Sequence, residues 1–286
     1  MTPTSGDGSL RRRLSVANHD RDVAGLTYVY PVLSRRSGGV SIGINLNPNN
    51  ACNFRCVYCQ VPDLSRGSGP AIDLERLRTE LKQLLDALDR DEERGSVPLK
   101  DFAFSGNGEP TSSPDFCAAL EIVRQVRDER VALRGLPIVL ITNGSLVDRK
   151  EVQRGLELLA SLGGVVWFKV DAGTDEGLRR TNSVTTRLDR HLERLSISAR
   201  LCPTWVQSCW FRRNDREPEL SEVDGFVEAL RRLLGRGVPL RGVHLYTLAR
   251  PSLQPEAKEL GPVGADWLTS LGARLHAIGL ETTEAT

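Results

Sequence analysis

Three cysteines lie within eight positions of the sequence, Cys52, Cys56 and Cys59, in the segment NNACNFRCVYCQVP. Three thiolates held this close together need a metal, since they would otherwise repel one another or oxidise. A structural zinc site wants four protein ligands, and no second CxxC pair or histidine partner with the usual spacing follows. Ferredoxin-type iron–sulfur clusters also take four cysteines. A cluster held by three leaves one iron open to an external ligand, and an open metal position is typical of catalysis.

A glycine-rich segment, FSGNGEP at 104–110, directly follows the second predicted strand. Glycines permit sharp turns and let the backbone approach a ligand closely. The carboxylate of Glu109 can accept charge-assisted hydrogen bonds from an ammonium group. The segment therefore predicts a binding loop, and an ordinary strand-to-helix turn is the alternative for this segment taken alone.

Polar residues also lie on or directly after the later predicted strands. Thr142 and Asn143 end the third strand, where Asn-Gly also suits a turn for backbone reasons alone. Lys169 and Asp171, on the fourth strand, are two residues apart and therefore share one face. Charges buried on such a face are paired or bound to a ligand, so a salt bridge between these two is the alternative. Gln207 on the fifth strand is a further candidate for ligand contact.

An alternation of strand and helix patterns positions these residues at one edge of a sheet. Each strand is followed by a helical pattern, which implies a parallel sheet with right-handed crossovers. A full barrel needs eight such strand–helix units, and the sequence shows six. The six units predict an α/β fold with a partial (β/α)6 barrel and outer helices. A doubly wound sheet is the alternative. In both folds ligands bind at the carboxyl ends of the strands. The strands are predicted at 39–46, 101–104, 137–142, 165–172, 203–211 and 240–248, and the helices at 73–94, 113–133, 145–164, 184–199, 217–237 and 265–280.

The composition narrows the class of protein. The chain has 286 residues and a formal net charge of +1, so no overall field draws it to nucleic acid or an anionic membrane. No apolar run approaches the roughly 18–20 residues of a membrane span, and the N-terminus lacks the apolar core of a secretion signal. Six cysteines are too sparse for a disulfide scaffold, which favours a reducing, cytoplasmic location. We expect a mobile N-terminal segment at 1–25 and one domain at 26–286.

The C-x-x-x-C-x-x-C spacing, with Tyr58 just before the last cysteine, resembles that of the radical S-adenosylmethionine (radical SAM) superfamily. In that family the three cysteines bind a [4Fe–4S] cluster, and the open iron takes the amino and carboxylate groups of SAM. One electron then cleaves SAM to a 5′-deoxyadenosyl radical, which abstracts hydrogen from a substrate. The resemblance implies such an enzyme, supplied by a flavodoxin- or ferredoxin-type electron donor. A non-catalytic iron–sulfur electron carrier and a zinc-stabilised binding module are the alternatives.

The resemblance also implies which residues contact SAM. Gly106-Asn107-Gly108-Glu109-Pro110 is similar to the family's glycine-glycine-glutamate motif, which binds the SAM amino group, although Asn107 departs from a plain double glycine. The segment VHLYT at 243–247 resembles the strand that lies along the adenine, where His244 is either a packed residue or a catalyst. The expected SAM contacts outside the glycine-rich motif are Tyr58, Thr142, Asn143, Lys169, Asp171, Gln207 and Tyr246.

A finer resemblance concerns the substrate. Residues 31–60 and the segment LYTLARPS at 245–252 resemble a subgroup that includes the wyosine-type tRNA enzyme and uncharacterised relatives. Arg35, Arg36 and Arg250 are candidates to bind an anionic substrate group, with surface arginines or ion pairs as the alternative. The near-neutral charge disfavours a large RNA, and the lack of a cysteine-rich tail disfavours the common peptide-modifying class. A small or anionic metabolite is therefore favoured over nucleotide, tRNA-base or peptide modification.

Three cysteines lie outside the triplet, at Cys117, Cys202 and Cys209. Second clusters in this superfamily usually need a cysteine-rich C-terminal extension, and no cysteine follows residue 209. We therefore predict that these three residues are buried thiols.

Overall fold

The computed structural model describes residues 25–34, 38–90 and 97–286. Most of the strands in these ranges join one eight-stranded sheet, and two pairs of short strands lie outside it. The strands are β1 (Val29–Ser34), β2 (Gly39–Ile44), β3 (Ala51–Cys52), β4 (Ser65–Arg66), β5 (Leu99–Phe104), β6 (Ile138–Thr142), β7 (Val165–Lys169), β8 (Thr204–Cys209), β9 (Phe211–Arg213), β10 (Leu240–Tyr246), β11 (Leu260–Pro262) and β12 (Thr282–Ala285).

The helices cover one face of this sheet. None of the helices in the described ranges is both long enough and apolar enough to cross a membrane. They are α1 (Leu74–Arg90), α2 (Phe116–Asp128), α3 (Lys150–Ser161), α4 (Asp175–Asn182), α5 (Leu188–Leu201), α6 (Leu220–Gly235) and α7 (Ala265–His276).

The strand order of the sheet is β1-β2-β5-β6-β7-β8-β10-β12. Every neighbouring pair is parallel except β1 and β2, which are antiparallel. The sheet curls into a half barrel, so the predicted α/β partial barrel of six parallel strands is confirmed. Two edge strands were not expected as members of the sheet. The terminal strand β12 has the sequence TTEA, which is too short and polar to stand out before its pairing with β10 is known.

The outward face of the sheet and the inward faces of the helices form the main apolar core. Alternate residues of each strand, such as Ile42 and Ile44 on β2, are completely buried against the helices. Helix α1 contributes the leucine stripe that its sequence predicts, from Leu77 to Leu88. Burying each such side chain contributes about 1.5–3 kcal/mol, so this layer supplies most of the driving force for folding.

The inward face of the sheet is different, because the other alternate residues point into the half barrel. A cluster of packed ring side chains fills the lower part of the half barrel. The ring of His244 stacks on Trp205, with centroids 4.5 Å apart and planes 10° apart, and lies 4.8 Å from the Trp167 ring. Its Nδ1 atom hydrogen-bonds Thr283 Oγ1 at 2.7 Å. His244 is therefore a packed residue of the barrel floor.

Two local expectations were wrong. Ser145 and Asp148 form a capping-box pattern that predicts a helix from 145, but α3 begins at Lys150. Ser145 instead donates a hydrogen bond to Asn143, and Asp148 pairs with Arg190 and Arg194. A nearby partner of Ser145 and long-range partners of Asp148 thus override the capping pattern.

The second error concerns helix α4, which the sequence did not predict. Its sequence, DEGLRRTN, carries a single large apolar residue, Leu178, so no helical periodicity is visible. Thr174 caps its first turn by accepting a hydrogen bond from the Gly177 amide at 2.9 Å.

Some expectations fall on residues outside the described ranges. These are the predicted mobile segment at 1–25, of which only Gly25 is described, and the candidate anion-binding residues Arg35 and Arg36.

Candidate functional site

The carboxyl ends of the parallel strands open into a cavity of about 310 Å³. Cys52, Cys56 and Cys59 all line it. The cavity also brings together most of the other residues expected from the sequence. Pro110, Thr142 and Asp171 lie behind its wall. Those that line it are Tyr58, Gly106, Asn107, Gly108, Glu109, Asn143, Lys169, Gln207, Tyr246 and Arg250.

The segment that carries Cys52, Cys56 and Cys59 is called the cysteine loop, and the end of helix α4 fixes one side of it. The last carbonyls of a helix have no partner within it. Here the Thr181 carbonyl accepts a hydrogen bond from the Val57 amide at 2.9 Å, and the Asn182 carbonyl accepts one from Arg55 at 3.1 Å. The helix that the sequence did not reveal therefore holds the loop that carries the cysteines.

The other side of the loop is fixed by the segment after β10. Ser252 Oγ donates to the Val57 carbonyl at 2.7 Å, and Gln254 Nε2 donates to Val61 at 3.2 Å. The Leu253 amide donates to the Cys59 carbonyl at 3.0 Å. Ser252 is the last residue of the segment LYTLARPS, which resembles a known subgroup. The resemblance alone gave no structural reason for a serine at this position.

The triplet thiols are half-buried in the cavity wall. Burial, the largest influence, raises the pKa of Cys52 to about 11 and that of Cys56 to about 12. A bound cation would favour the thiolate form and remove a proton from each thiol. In the part of the chain that the structure describes, no three Cys, His, Asp or Glu side chains form a group able to hold a metal ion. A [4Fe–4S] cluster does not require such convergence on one point, because each cysteine binds a different iron.

Asp171 organises the wall behind Cys56. Its carboxylate accepts hydrogen bonds from the Tyr58 hydroxyl, from Asn182 Nδ2 at 2.9 Å and from the Cys209 amide at 3.1 Å. These three donors satisfy a side chain that is 5% exposed. Asp171 lies two residues beyond the end of β7 rather than on the strand, and it connects this segment to strand β8, to helix α4 and to the cysteine loop.

Lys169 does not form the salt bridge with Asp171 that was the alternative expectation. Its Nζ atom lies 3.2 Å from the Tyr246 hydroxyl and 4.7 Å from the centre of the Tyr58 ring. Burial disfavours the ammonium form, but Tyr246 and Asp171 outweigh it and hold the pKa of Lys169 well above its ordinary value. The cavity wall therefore carries a positive charge close to the cysteines.

Glu109 is 1% exposed and is held by its own chain. Its Oε1 atom accepts hydrogen bonds from Thr142 Oγ1 at 2.7 Å and from the hydroxyl and amide of Thr111 at 2.6 and 3.1 Å. Its Oε2 atom accepts one from the Asn143 amide at 2.6 Å. Burial raises the pKa of Glu109, and these bonds oppose the shift. A carboxylate has about four acceptor positions, so Oε2 retains capacity for a ligand.

Asparagines after β2 hold the glycine-rich loop, which is the segment FSGNGEP at 104–110, and the sequence did not predict this role for them. Asn45 Oδ1 accepts a hydrogen bond from the Asn107 amide at 3.1 Å, and Asn47 Nδ2 donates to the Ala51 carbonyl at 3.0 Å. A Cβ atom on Gly108 would lie 2.1 Å from that same carbonyl, so only glycine fits there. The run NLNPNN at 45–50 was a visible sign of this role.

Gln207 is a buried polar residue whose side-chain oxygen faces the cavity without a partner. It is 3% exposed, and its Oε1 atom has no hydrogen-bond partner among the described residues. Such an atom normally binds a ligand or water. Together with the three thiols, the ammonium of Lys169 and the glycine-rich loop, this acceptor fits a cluster and a polar cofactor. The individual SAM contacts stay predictions.

The remaining cysteines agree in part with expectation. Cys202 and Cys209 are buried, as predicted, whereas Cys117 on α2 is half-buried. Cys209 lies beside the site, because it lines the cavity and packs against Tyr58.

Two curated relatives each match about half of the chain. "GTPase Obg" of Brachyspira hyodysenteriae is 27% identical over 159 residues, which are 56% of this chain and 21% of that protein. "UPF0026 protein MJ1312" of Methanocaldococcus jannaschii is 31% identical over 156 residues, which are 53% of this chain and 42% of that protein. The match thus spans less than half the length of either relative.

Two solved structures share the fold. A structure of TYW1 with a bound lysine-pyruvate adduct has a TM-score of 0.53 and 16% identity, covering 83% of this chain and 73% of that one. A radical SAM methyltransferase from Sphaerobacter thermophilus has a TM-score of 0.57 and 17% identity, covering 90% and 68%.

A family match covers the site itself. The family described as the Radical SAM superfamily matches residues 46–221, which is more than half of the chain and includes the cysteine triplet, the glycine-rich loop and strands β5 to β8. Members of this superfamily use a [4Fe–4S] cluster and S-adenosylmethionine, which agrees with the three thiols and the unpartnered buried acceptor in this cavity. The chain belongs to the radical SAM superfamily.

Proposed function

We propose that this protein cleaves SAM reductively at a [4Fe–4S] cluster and uses the resulting radical to abstract hydrogen from a small or anionic metabolite. The observation that carries the proposal is the placement of all three triplet cysteines on one cavity with the half-buried lysine Lys169 and the unpartnered buried acceptor of Gln207. When bound, the cluster supplies an electron and an open iron site. Cys52, Cys56 and Cys59 would hold it.

The polar residues of the wall are suited to bind SAM. The ammonium of Lys169 can pair with a carboxylate, and the free capacity of Glu109 Oε2 can accept a hydrogen bond from an amino group. The Gln207 oxygen needs an N–H or O–H donor, and ribose hydroxyls supply such donors. SAM carries all three kinds of group.

The charge state of Lys169 bears on a second type of chemistry. The related TYW1 structure holds a lysine–pyruvate adduct, and a lysine must lose its proton to form such an adduct. Here Tyr246 and Asp171 raise the pKa of Lys169, which favours the ammonium form. Lys169 therefore suits ion pairing with a carboxylate better than attack on a carbonyl.

The lining of the cavity supports a substrate with an anionic group, because Arg250 is one of the lining residues. An arginine there can bind a phosphate or carboxylate group. Modification of a nucleotide, a tRNA base or a peptide by the same radical chemistry is the alternative. A flavodoxin- or ferredoxin-type protein is the proposed electron donor, and the cytoplasm is the proposed location.

Anaerobic purification tests this proposal without knowledge of the substrate. After reconstitution with iron and sulfide, we expect both elements in equal amounts and no zinc. Reduction should produce the electron paramagnetic resonance (EPR) signal of a [4Fe–4S] cluster, and adding SAM should change that signal by occupying the open iron. Zinc without iron would instead identify a zinc-stabilised module, and a cluster signal unaffected by SAM would identify an electron carrier.

A further inference from the structure

The side chain of Asn182 makes a contact that the proposed chemistry has not used. Asn182 is the last residue of helix α4 and is 2% exposed. Its Nδ2 atom lies 3.1 Å from Cys56 Sγ and 2.9 Å from Asp171 Oδ2. A buried amide thus bridges a cluster-binding sulfur and a buried carboxylate.

The chemistry of the two neighbours fixes the orientation of this amide. A thiolate and a carboxylate only accept hydrogen bonds, whereas an amide nitrogen donates two. The reverse orientation would place the amide oxygen against two acceptors, which repels both and leaves the Cys56 sulfur without its side-chain donor. The nitrogen of Asn182 must therefore face Cys56.

The surrounding structure holds the amide in place. Asp171 is itself fixed by the Tyr58 hydroxyl and the Cys209 amide. The backbone carbonyl of Asn182 accepts a hydrogen bond from the Arg55 amide in the cysteine loop at 3.1 Å. The side chain and the backbone of Asn182 therefore both bind the cysteine loop. This double contact keeps the Cys56 sulfur and its donor at a fixed distance.

The three sulfurs differ in their donors. Cys52 Sγ lies 3.5 Å from the Phe54 amide and 3.9 Å from Asn143 Nδ2, which are longer contacts than the one that Cys56 receives. In the described ranges, no hydrogen bond to the Cys59 sulfur is found. Cys56 alone receives a short bond from a buried side-chain donor.

We propose that Asn182 is a positioning residue that raises the reduction potential of the [4Fe–4S] cluster by donating a hydrogen bond to the Cys56 thiolate. Reduction adds one electron from the external donor and so increases the negative charge on the cluster and its sulfurs. A hydrogen-bond donor to a sulfur stabilises the more negative state. The inference rests on the proposed function, because it requires that the triplet binds a cluster.

The test compares midpoint potentials without SAM or substrate. Wild-type protein, Asn182→Leu and Thr181→Ala are reconstituted anaerobically and titrated with dithionite, with the reduced cluster followed by EPR. Asn182→Leu removes the donor at similar volume. We expect its reduction equilibrium to become about tenfold less favourable, a shift of about 59 mV to more negative potential for one electron. Thr181→Ala is the matched control, because Thr181 contributes a backbone carbonyl to the loop contact, and its potential should equal that of the wild type.

A second variant keeps the test decisive if the leucine is not tolerated. Asn182→Ala also lacks a donor and introduces no bulk, so it should show the same negative shift. An unchanged potential in either variant would overturn the inference, as would a failure of both variants to assemble the cluster, since the role of Asn182 would then be structural. If the wild type itself binds no iron–sulfur cluster, the proposed function fails rather than this inference alone.

Discussion

The two faces of the half-barrel sheet are made from alternate residues of the same strands, yet they differ in chemistry and in role. On β7, Val166 and Phe168 point outwards and are completely buried against the helices. Trp167 and Lys169, between and after them, line the cavity. The outward face is apolar and contributes stability, whereas the inward face holds the polar groups suited to ligand binding.

The difference teaches how one short strand can serve both purposes. Apolar burial is non-directional, so the outward face needs only residues of suitable size. Buried polar groups are costly unless each has a partner. On the inward side Asp171 and Glu109 obtain partners from the protein, while the Gln207 oxygen has none among the described residues. The comparison predicts that substitutions on the two faces have separable effects.

The largest effect is expected at the cysteine loop. Cys56→Ala should abolish cluster assembly and SAM cleavage, because two thiolates hold a cubane poorly. Iron content and the visible iron–sulfur absorption band measure the loss. Cys117→Ala, on helix α2 outside the cavity, is the matched control and should retain both. Normal iron loading of the Cys56 variant would show that the triplet is not the cluster site.

On the outward face, Phe168→Ala should lower the free energy of unfolding by about 3–5 kcal/mol, since it leaves a cavity in the main core. The change is measured as a lower denaturant midpoint in urea. Protein that remains folded should still assemble the cluster. A variant of normal stability that fails to bind the cluster would reverse the roles assigned to the two faces.

On the inward face, Gln207→Leu should leave stability unchanged or raise it by about 1 kcal/mol. It replaces a buried amide that has an unpartnered oxygen with an apolar side chain of similar size. SAM affinity, measured by EPR titration of the reduced cluster, should fall about tenfold, which corresponds to ~1.4 kcal/mol. Undiminished affinity would mean that the Gln207 oxygen serves the substrate or packing and not SAM.

The smallest effect is expected at the surface, away from both faces. Burial opposes ionisation of Asp148, but hydrogen bonds from Arg194 and Arg190 prevail and lower its pKa below the ordinary value. A lowered pKa in the folded state stabilises the protein above the unfolded pKa, and this stabilisation is lost as the pH falls through the folded pKa. Asp148→Asn should cost about 0.2–1 kcal/mol at pH 7 and nothing at an acidic pH below the lowered pKa of Asp148. Urea denaturation at both pH values measures it, and an equal loss at both would contradict an electrostatic origin.

Much of the fold followed from the sequence because its determinants are periodic. The leucine stripe of α1 and the six apolar strand segments each carry their pattern within a short window. Helix α4 and strand β12 lack such a pattern, since long-range contacts stabilise them. Thr181 and Asn182 find partners in the cysteine loop, and Thr282 pairs with Val243 on β10.

The site was predictable to the extent that its chemistry follows from local motifs. The cysteine triplet and the glycine-rich loop stand out by residue type and spacing. The residues that hold these motifs do not, because Asn45, Ser252 and Asn182 acquire their roles only when distant segments meet. Ser145 shows the converse case, in which a clear local capping pattern yields to a contact with Asn143 in the site.

The formation of 5′-deoxyadenosine tests the central claim most directly. The protein is reconstituted anaerobically, reduced with dithionite and mixed with SAM, and the products are identified by mass spectrometry. We predict 5′-deoxyadenosine from the wild type, none from Cys56→Ala, and a higher yield when the correct small or anionic metabolite is added. A reduced cluster that produces no 5′-deoxyadenosine, even with metabolite and RNA pools added, would contradict the claim that the inward face of the half barrel cleaves SAM.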